Sequence, residues 1–488
     1  MRRERAAAKY QNPDGGAPTY APGPRFRFAG MLTDPRTGAR RTEAPALHDA
    51  GYAERRLQRL AGEQPAWAAL TSERRATRLA RFGESLLAHR DELAATASRE
   101  MGKNRHEALA EVEKCASLAQ YCARAGAAAL RPIDLPTAPG EPRATRHYRP
   151  LGTVLGIMPW NFPFWQVARF ALPALVAGNA VALKHARNVP ACAARFVALL
   201  RAALGESDVV ADLRLDDETT LGLIGLADVH AVSLTGSPAA GRAVAAAAGG
   251  HLKPVVLELG GSDAYLILED ADLDAAAATC FTGRLVNAGQ SCIGPKRIVV
   301  VGDDRYAAVA DRMLALAGAV EYAGDDPADD RAGRLAPLAR VDLRGTLHGQ
   351  VRRSVAAGAV LLHGGVVPDR AGAWYPVTVL GEVRPGMPAF DEELFGPVLS
   401  LVRARTRAEA VELANRSAFG LGAGVFTADE RAGRELAVRE LRAGAVAVND
   451  FVRSDPRYPF GGVGESGFGR ELGRAGFRAF CYTKVVVG

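Results

Sequence analysis

Short apolar segments that alternate with helical segments constrain the fold of this chain most strongly. Thr153–Met158, Ala180–Leu183 and Val229–Leu234 are mostly apolar runs without the polar alternation of a half-exposed strand. Such runs are typical of strands that are buried on both faces of a parallel sheet. Helical patterns over Trp165–Ala177 and Ala239–Ala248 follow the first and third runs. Strands that alternate with helices in this way predict an α/β architecture.

A second alternating section begins near Val255. A chain of 488 residues exceeds the roughly 250–300 residues that one core usually serves, so we expect two or three domains. The section contains predicted strands at Ala264–Leu268, Arg297–Val301 and Val360–Leu362, and predicted helices from Asp272, over Leu343–Ala357 and over Arg407–Asn415. Upstream, helical patterns begin at Thr71 and run over Arg105–Ala125, with Gly126 as the expected stop. Residues 1–30, rich in Gly, Pro and Arg, are interpreted as a flexible tail.

Composition and charge exclude several classes of protein. The net charge is +7, but basic and acidic residues are interspersed and no basic run is interleaved with aromatics, so nucleic-acid binding is not expected. The six cysteines form no CxxC pair and no zinc-ligand spacing, which predicts reduced thiols, no metal site and a cytoplasmic location. The longest apolar stretch, Phe170–Leu183, is too short to span a membrane, and no apolar signal-peptide core follows the charged N-terminus.

Cys292 is the candidate nucleophile. It lies in the segment Asn287–Arg297, after a helical pattern and a glycine and before a predicted strand. A turn at that place would let a substrate reach the sulfur, and the thiolate of an accessible cysteine is a strong nucleophile. For an isolated cysteine, the alternative of a buried structural residue would be favoured.

Glu258 and Asn161 are candidates for two further roles. Glu258 ends an apolar strand-like run, where a carboxylate is costly to bury without a partner or a chemical task, and it could act as a general base. Asn161 follows the strand Thr153–Met158 and offers N–H donors of the kind that an oxyanion hole needs. Taken singly, a satisfied carboxylate is an equally reasonable interpretation of Glu258, and a turn residue is the more frequent interpretation of Asn161.

Two glycine-containing segments could bind phosphate. Leu234–Gly241 contains a strand end, the turn Gly236-Ser237 and a helix start, which together present backbone N–H groups to an anion. The literal GxGxxG at Gly462–Gly467 follows no strand and opens no βαβ unit, so we interpret it as a glycine-rich loop near the site instead.

These segments together resemble the aldehyde dehydrogenase superfamily. PWNFP, LK, TGS, ELGG, GQSC, EELFGPV and PFGG occur in one order between about residue 32 and the C-terminus. The resemblance implies an aldehyde dehydrogenase-like α/β fold with a Rossmann-type cofactor domain at 31–128 and 148–257 and an α/β catalytic domain at 258–445. It also implies a small β bridging and oligomerisation element at 129–147 and 470–488, and a homodimer or homotetramer.

The resemblance also implies roles for individual residues. Cys292 would attack the aldehyde, Asn161 would stabilise the oxyanion, hydride would pass to the nicotinamide of NAD or NADP, and Glu258 would activate water to hydrolyse the thioester. The implied cofactor-binding residues are Trp160, Lys184, Gly236, Ser237, Glu393 and Phe395. Arg187 stands where many NAD-preferring members have Glu, so its charge could meet a 2′-phosphate and favour NADP.

Within the family, the chain looks like the succinate-semialdehyde dehydrogenases. Arg169, eight residues after Asn161, and Ser454, five before PFGG, stand where that group holds the distal carboxylate of its substrate. The alternative for Arg169 is a structural ion pair at the surface. Another aliphatic or aromatic aldehyde as substrate, a CoA-acylating enzyme, and a non-catalytic dinucleotide-binding protein remain competing functions.

Overall fold

The computed structural model describes residues 32–41, 45–205 and 207–488. The predicted tail at residues 1–30 lies outside the described residues. The α-helices, in chain order, are α1 Ala50–Ala69, α2 Ser72–Ala88, α3 Arg90–Met101, α4 Arg105–Ala129, α5 Trp165–Ala177, α6 Pro190–Leu204, α7 Asp217–Leu223, α8 Pro238–Gly250, α9 Leu273–Leu285, α10 Asp303–Gly318, α11 Val341–Ala356, α12 Pro388–Asp391, α13 Arg407–Asn415, α14 Glu430–Arg439 and α15 Gly473–Arg478.

The strands form three sheets. In chain order they are β1 Ile133–Leu135, β2 Ala144–Pro150, β3 Thr153–Met158, β4 Ala180–His185, β5 Val210–Asp212, β6 Ala231–Thr235, β7 Val255–Glu258, β8 Ala264–Ile267, β9 Arg297–Val301, β10 Val360–His363, β11 Thr378–Gly381, β12 Val398–Ala404, β13 Gly422–Phe426, β14 Ala445–Val448, β15 Gly467–Phe468 and β16 Cys481–Val487. The sheet orders are β15-β7-β6-β3-β4-β5, β10-β11-β12-β9-β8-β13-β14 and β1-β2-β16.

The first sheet is the core of the N-terminal half. Its neighbours from β7 to β5 pair in parallel, and only β15 joins antiparallel, against β7. Helix α5 packs on this sheet with all of its residues buried, which explains why its sequence is apolar except for Gln166 and Arg169. The helix ends at Gly178, whose φ of 102° suits a left-handed C-cap. The prediction of an α/β architecture is confirmed.

The second sheet has its own core, which is built around β8, β9, β11 and β12. Its pairs are parallel except for β10 against β11. Because parallel strands are buried on both faces, β8 and the part of β9 that follows Arg297 are continuous apolar runs. The two large sheets therefore give two separate α/β cores in one chain.

The third sheet is small and antiparallel. The C-terminal strand β16 pairs with β2 from Cys481 opposite Pro150 to Val487 opposite Ala144, and β1 covers the other edge of β2. Strand β16 is its open edge, and Val485, Val486 and Val487 are 54%, 49% and 63% exposed. An exposed apolar edge strand of this kind can pair with another chain.

Two local predictions differ from the structure. Helix α1, Ala50–Ala69, precedes the first helix that the sequence pattern indicated. Helix α4 continues past Gly126 to Ala129. The glycine serves close packing rather than helix termination, because a Cβ there would lie 2.5 Å from Cγ1 of Val176 on α5.

Neither a membrane-spanning helix nor a cluster of metal-binding side chains occurs among the described residues. Among these residues, no helix is long and apolar enough to cross a bilayer. The stretch Phe170–Leu183 is the second half of α5 and most of β4. Within the same ranges, no three His, Cys, Asp or Glu side chains are grouped as metal ligands would be.

Candidate active site

Three predicted site residues lie at the carboxyl ends of neighbouring strands in the first sheet. Asn161 follows β3, Gly236 follows β6, and Glu258 is the last residue of β7. Strands β7, β6 and β3 are adjacent and parallel, so their carboxyl ends share one edge. This edge is where open α/β sheets bind their ligands.

Cys292 reaches this edge on an unusual turn. Asn287 and Ala288 have φ values of 54° and 52°, and Gly289 follows with φ 75°. Asparagine tolerates this left-handed conformation, but alanine is strained in it. Any side chain at Gly289 would collide with Gly396, because a Cβ would lie 2.2 Å from that carbonyl oxygen. The turn is therefore held by its surroundings, as backbone strain at functional sites commonly is.

Hydrogen bonds join the Asn161 loop to the Cys292 turn. Asn161 Nδ2 donates to the carbonyl of Gln290 at 3.1 Å, and Asn287 Nδ2 donates to the carbonyl of Asn161 at 2.7 Å. Gln290 Oε1 in turn accepts from the backbone N–H of Ala339. An asparagine amide carries two N–H donors, so one contact leaves Asn161 a second donor for a ligand.

The Cys292 side chain is half-buried and lies among charges. Burial raises the pKa of its thiol to about 11, and the positive charges of Arg169 and Lys296 act to lower that pKa. Lys296 Nζ donates to the Cys292 carbonyl at 2.6 Å and lies 3.3 Å from Glu393 Oε1. These two cations favour the thiolate over the thiol.

Glu258 is buried, and neither carboxylate oxygen has a hydrogen-bond partner among the described residues. Burial raises the pKa of this carboxyl well above its ordinary value; Arg169 opposes the shift and Glu471 adds to it. The glycine-rich loop packs directly against this carboxylate, since a Cβ on Gly461 would lie 2.7 Å from Oε1. An unpartnered buried carboxylate is costly, and it is a candidate for proton transfer.

Arg169 is buried near the Glu258 carboxylate and does not lie at the surface. It forms an ion pair with Glu471, and both side chains are 1–2% exposed. Its Nη2 lies 3.3 Å from Thr235 Oγ1, and its guanidinium stacks 4.7 Å from the centroid of the Phe460 ring. Arg169 therefore forms an ion pair, as the alternative expected, but the pair is buried near Glu258 and does not lie at the surface.

Ser454 contacts other side chains than those that contact Arg169. Its Oγ accepts from Lys114 Nζ and from Trp165 Nε1, each at 3.0 Å. Lys114 also lies 4.2 Å from the centroid of the Trp165 ring. The predicted pair Arg169 and Ser454 is thus linked to a second cation, Lys114, that the sequence reasoning did not name.

The predicted phosphate turn has the geometry of an anion site. Ser237 is the N-cap of α8, and its Oγ accepts from the N–H of Ala240 at 3.3 Å. The first helical residues, Pro238–Gly241, carry no charge that would repel an anion, and Ser237 is exposed. Amides and the helix dipole at such an end favour phosphate.

Other predicted cofactor residues lie on both sides of this edge. Lys184 is the last residue but one of β4, and its Nζ lies 2.9 Å from Asp217 Oδ1. Hydrogen bonds from Thr219 lower the pKa of Asp216, and the positive charge of Arg187 lowers that pKa further. The basic groups and the open helix end fit a dinucleotide with two phosphates.

Two predicted residues from the second core also lie near the carboxyl edge of the first sheet. Glu393 Oε1 accepts from the N–H of Gly261 at 3.1 Å, which brings it next to the segment after Glu258. The Phe395 ring meets the Trp160 ring edge to face, with centroids 5.8 Å apart. A carboxylate and an aromatic pair at this place fit the ribose and the nicotinamide ring of the same dinucleotide.

Sequence reasoning missed several residues that shape this site. Lys296, Glu471 and Lys114 each contact a predicted residue, but Glu471 and Lys114 belong to distant segments that carry no separate signal. For Lys296 a signal existed, since a lysine four residues after a candidate thiol stabilises its anion.

Comparisons with known proteins agree with this geometry. The model of the aldehyde dehydrogenase family matches residues 31–486. Succinate semialdehyde dehydrogenase (NAD(P)+) Sad of Escherichia coli K12 is 43% identical over 433 residues, covering 89% of this chain and 92% of that protein. Succinate-semialdehyde dehydrogenase (NADP(+)) 1 of Mycobacterium tuberculosis H37Rv is 42% identical over 403 residues, covering 82% and 87%.

A solved structure gives the same result at the level of the fold. Succinic semialdehyde dehydrogenase from Streptococcus pyogenes in complex with NADP+ superposes with a TM-score of 0.89 at 31% identity, covering 93% of this chain and 99% of that one. The resemblance stated from the motifs is confirmed. The chain belongs to the aldehyde dehydrogenase family.

Proposed function

We propose that this enzyme oxidises succinate semialdehyde to succinate with NADP or NAD as hydride acceptor, through a thioester on Cys292. One observation carries the proposal. A half-buried thiol, an amide donor and an unpartnered carboxylate meet at the carboxyl edge of the first sheet, and they belong to Cys292, Asn161 and Glu258.

Cys292 acts as the nucleophile. Its thiolate forms a bond to the aldehyde carbon, and the carbonyl oxygen becomes an oxyanion. The positive charges of Arg169 and Lys296 stabilise the thiolate before attack. The free N–H of the Asn161 amide and the backbone N–H of Cys292 are the donors for the oxyanion.

The dinucleotide is held by the residues at both sides of the edge. Gly236, Ser237 and the start of α8 would hold the phosphates of a bound dinucleotide, and Lys184 and Arg187 would hold the adenosine ribose and a 2′-phosphate. Trp160, Glu393 and Phe395 would hold the nicotinamide end. The bound cofactor supplies the hydride acceptor for the oxidation.

Glu258 completes the reaction as the general base. Its carboxylate takes a proton from a water molecule, whose oxygen bonds to the thioester carbon while the bond to the Cys292 sulfur breaks. The raised pKa of this buried carboxyl makes it a stronger base than an exposed glutamate.

The substrate, domain and assembly proposals rest on further observations. The relatives named above are called succinate-semialdehyde dehydrogenases, and Arg169 and Ser454 supply positive charge and a hydroxyl for a distal carboxylate.

The exposed edge of β16 supports a homodimer or homotetramer. We keep the domain limits of 31–128 with 148–257, 258–445, and 129–147 with 470–488 as a proposal, and the six free thiols support a cytoplasmic enzyme.

A steady-state screen tests the proposed function. Reduced-cofactor absorbance is followed with succinate semialdehyde, butanal and benzaldehyde, each with NAD and with NADP. The expected result is the highest kcat/KM for succinate semialdehyde, with NADP used at least as well as NAD. A neutral aldehyde that is oxidised as efficiently as succinate semialdehyde would contradict the proposed substrate. A reaction that requires coenzyme A would contradict the proposed hydrolysis by Glu258.

A further inference from the structure

Lys114 is a half-buried cation whose partners are a hydroxyl and an indole. It lies on α4, with its Nζ 3.0 Å from Ser454 Oγ and 4.2 Å from the centroid of the Trp165 ring. Trp165 begins α5, four residues after Asn161. The ammonium is thus close in the fold to the oxyanion loop.

The nearest carboxylates are engaged elsewhere. Among the described residues, none has a carboxylate oxygen within 4.0 Å of Lys114 Nζ. Glu111 accepts from the N–H groups of Phe164 and Trp165 and pairs with Lys103. Asp455 accepts from Nε and from Nη2 of Arg457. A half-buried ammonium without a carboxylate partner is costly, so an anionic ligand would stabilise it.

Ser454 adds a directed donor at the same place. Its oxygen accepts two hydrogen bonds, from Lys114 and from the Trp165 indole, and both of its lone pairs are then used. The hydroxyl proton is left to donate to a third group. Ammonium and hydroxyl donors side by side match the two oxygens of a carboxylate.

Arg169 is less suited to direct contact with that carboxylate. Its charge is compensated by Glu471 in a fully buried ion pair, and Phe460 covers its guanidinium plane. The positive charge of Arg169 affects the pKa values of Lys114, Cys292 and Glu258, so Arg169 contributes positive electrostatic potential to the site.

We propose that Lys114 is a specificity-determining residue that binds the distal carboxylate of an ω-carboxylated aldehyde, together with the Ser454 hydroxyl. The inference rests on the proposed function and adds to it the group that contacts the far end of the substrate. The roles then divide: Lys114 selects a charged substrate, and Arg169 adjusts the charge at the reacting groups.

The titration of Lys114 gives the proposal a pH signature. Burial, and then the charge of Arg169, lower the pKa of Lys114 to about 8, while Cys115, Glu111 and Asp455 act in the opposite direction. The ammonium is present below that pKa and lost above it. The KM for succinate semialdehyde should therefore rise above about pH 8 relative to the KM for butanal.

The test uses the full-length enzyme with Lys114→Met, Lys114→Arg and the control Arg124→Met, an exposed cation on the same helix. Loss of a charge-assisted contact predicts a fall of about 10- to 100-fold in kcat/KM for succinate semialdehyde, carried by KM. Butanal should be oxidised within about twofold of wild type, since uncharged substrates do not use this contact.

The arginine variant separates charge from structure. Lys114→Arg keeps a cation that does not titrate, so it should retain most of the preference for succinate semialdehyde and lose the pH dependence of KM near pH 8. The control Arg124→Met should behave as wild type with both aldehydes. The wild-type pH profile remains decisive if the methionine variant does not fold.

Two results overturn the inference, and they differ from failure of the proposed function. If wild type prefers succinate semialdehyde and Lys114→Met keeps that preference, Lys114 does not bind the carboxylate. If Lys114→Met lowers kcat/KM for both aldehydes equally, the role of Lys114 is structural. If wild type itself shows no preference for the charged aldehyde, the proposed substrate fails and the inference fails with it.

Discussion

Two buried charge clusters flank the start of α5, and they are built differently. The anchor cluster is Lys103, Glu107 and Glu111; the base cluster is Glu258, Arg169 and Glu471. In the anchor cluster, Glu111 pairs with Lys103 and accepts from two backbone amides, and Glu107 accepts from the N–H of Asn287 at 2.6 Å. In the base cluster, both oxygens of Glu258 lack a hydrogen-bond partner within the described residues.

The difference separates positioning from chemistry. The anchor cluster ties the first residues of α5 and the start of the Cys292 turn to the same helix, α4. A fully hydrogen-bonded cluster rigidifies its surroundings. An unpartnered carboxylate lowers stability and remains free to take a proton. We therefore expect changes in the anchor cluster to affect mainly folding, and a change at the unpartnered Glu258 to affect mainly turnover.

The largest effect is expected from removing the base. Glu258→Gln should lower kcat by about 10²- to 10⁴-fold, which is the usual contribution of a general base. Thermal unfolding should stay at or above the wild-type Tm, because a buried carboxyl with no partner is replaced by a neutral amide. Steady-state rates and calorimetry check both statements, and a kcat within tenfold of wild type would contradict the comparison.

A smaller effect, on stability, is expected from the anchor cluster. Glu111→Gln leaves Lys103 buried without its charge partner, which should lower the free energy of unfolding by about 3–5 kcal/mol. The matched control is Glu113→Gln on the same helix. Its exposed pair with Arg90 should be worth less than about 1 kcal/mol.

Urea unfolding of the two variants compares these values under one condition. Equal losses for Glu111→Gln and Glu113→Gln would mean that the buried cluster does not anchor the loops. A large loss of kcat in Glu111→Gln at unchanged stability would move the anchor cluster into the chemistry and end the distinction.

The smallest effect is a shift in pH dependence. Arg169 holds down the pKa of both Glu258 and Cys292, against the burial that raises them. Arg169→Met should raise both pKa values further. Because both groups act in their deprotonated forms, the rising limb of the pH–kcat/KM profile should move to higher pH by about one unit or more.

The conservative change is the control for this shift. Arg169→Lys keeps a positive charge and should move the limb less than Arg169→Met. The profile is measured with butanal, so that recognition of a distal carboxylate does not enter. A limb that stays in place in Arg169→Met would show that Arg169 does not act on the reacting groups.

The fold was predictable where the signal is local. Trp165–Ala177, Arg297–Val301 and Arg407–Asn415 form as the periodicity predicted, to the residue. Helix α1 was missed because its sequence contains the helix-disfavouring residues Gly51, Gly62 and Pro65. The end of α4 was misplaced because the reason for Gly126 lies on another helix.

The site was predictable only in part. Cys292, Glu258 and Asn161 were found because their motifs occur in a known order, and their individual roles remain predictions. The link between Lys114 and Ser454 joins residues 340 positions apart, and Glu471 meets Arg169 from the far end of the chain. No local pattern encodes such contacts, because tertiary packing determines them.

Trapping the thioester tests the central claim most directly. Glu258→Gln is incubated with succinate semialdehyde and NADP, quenched in acid, and examined by intact-mass and peptide mass spectrometry. The account predicts a succinyl group on Cys292 that accumulates in this variant and is absent from Cys292→Ala. Turnover by Glu258→Gln with no acyl group on the protein, or with the group on another residue, would contradict it.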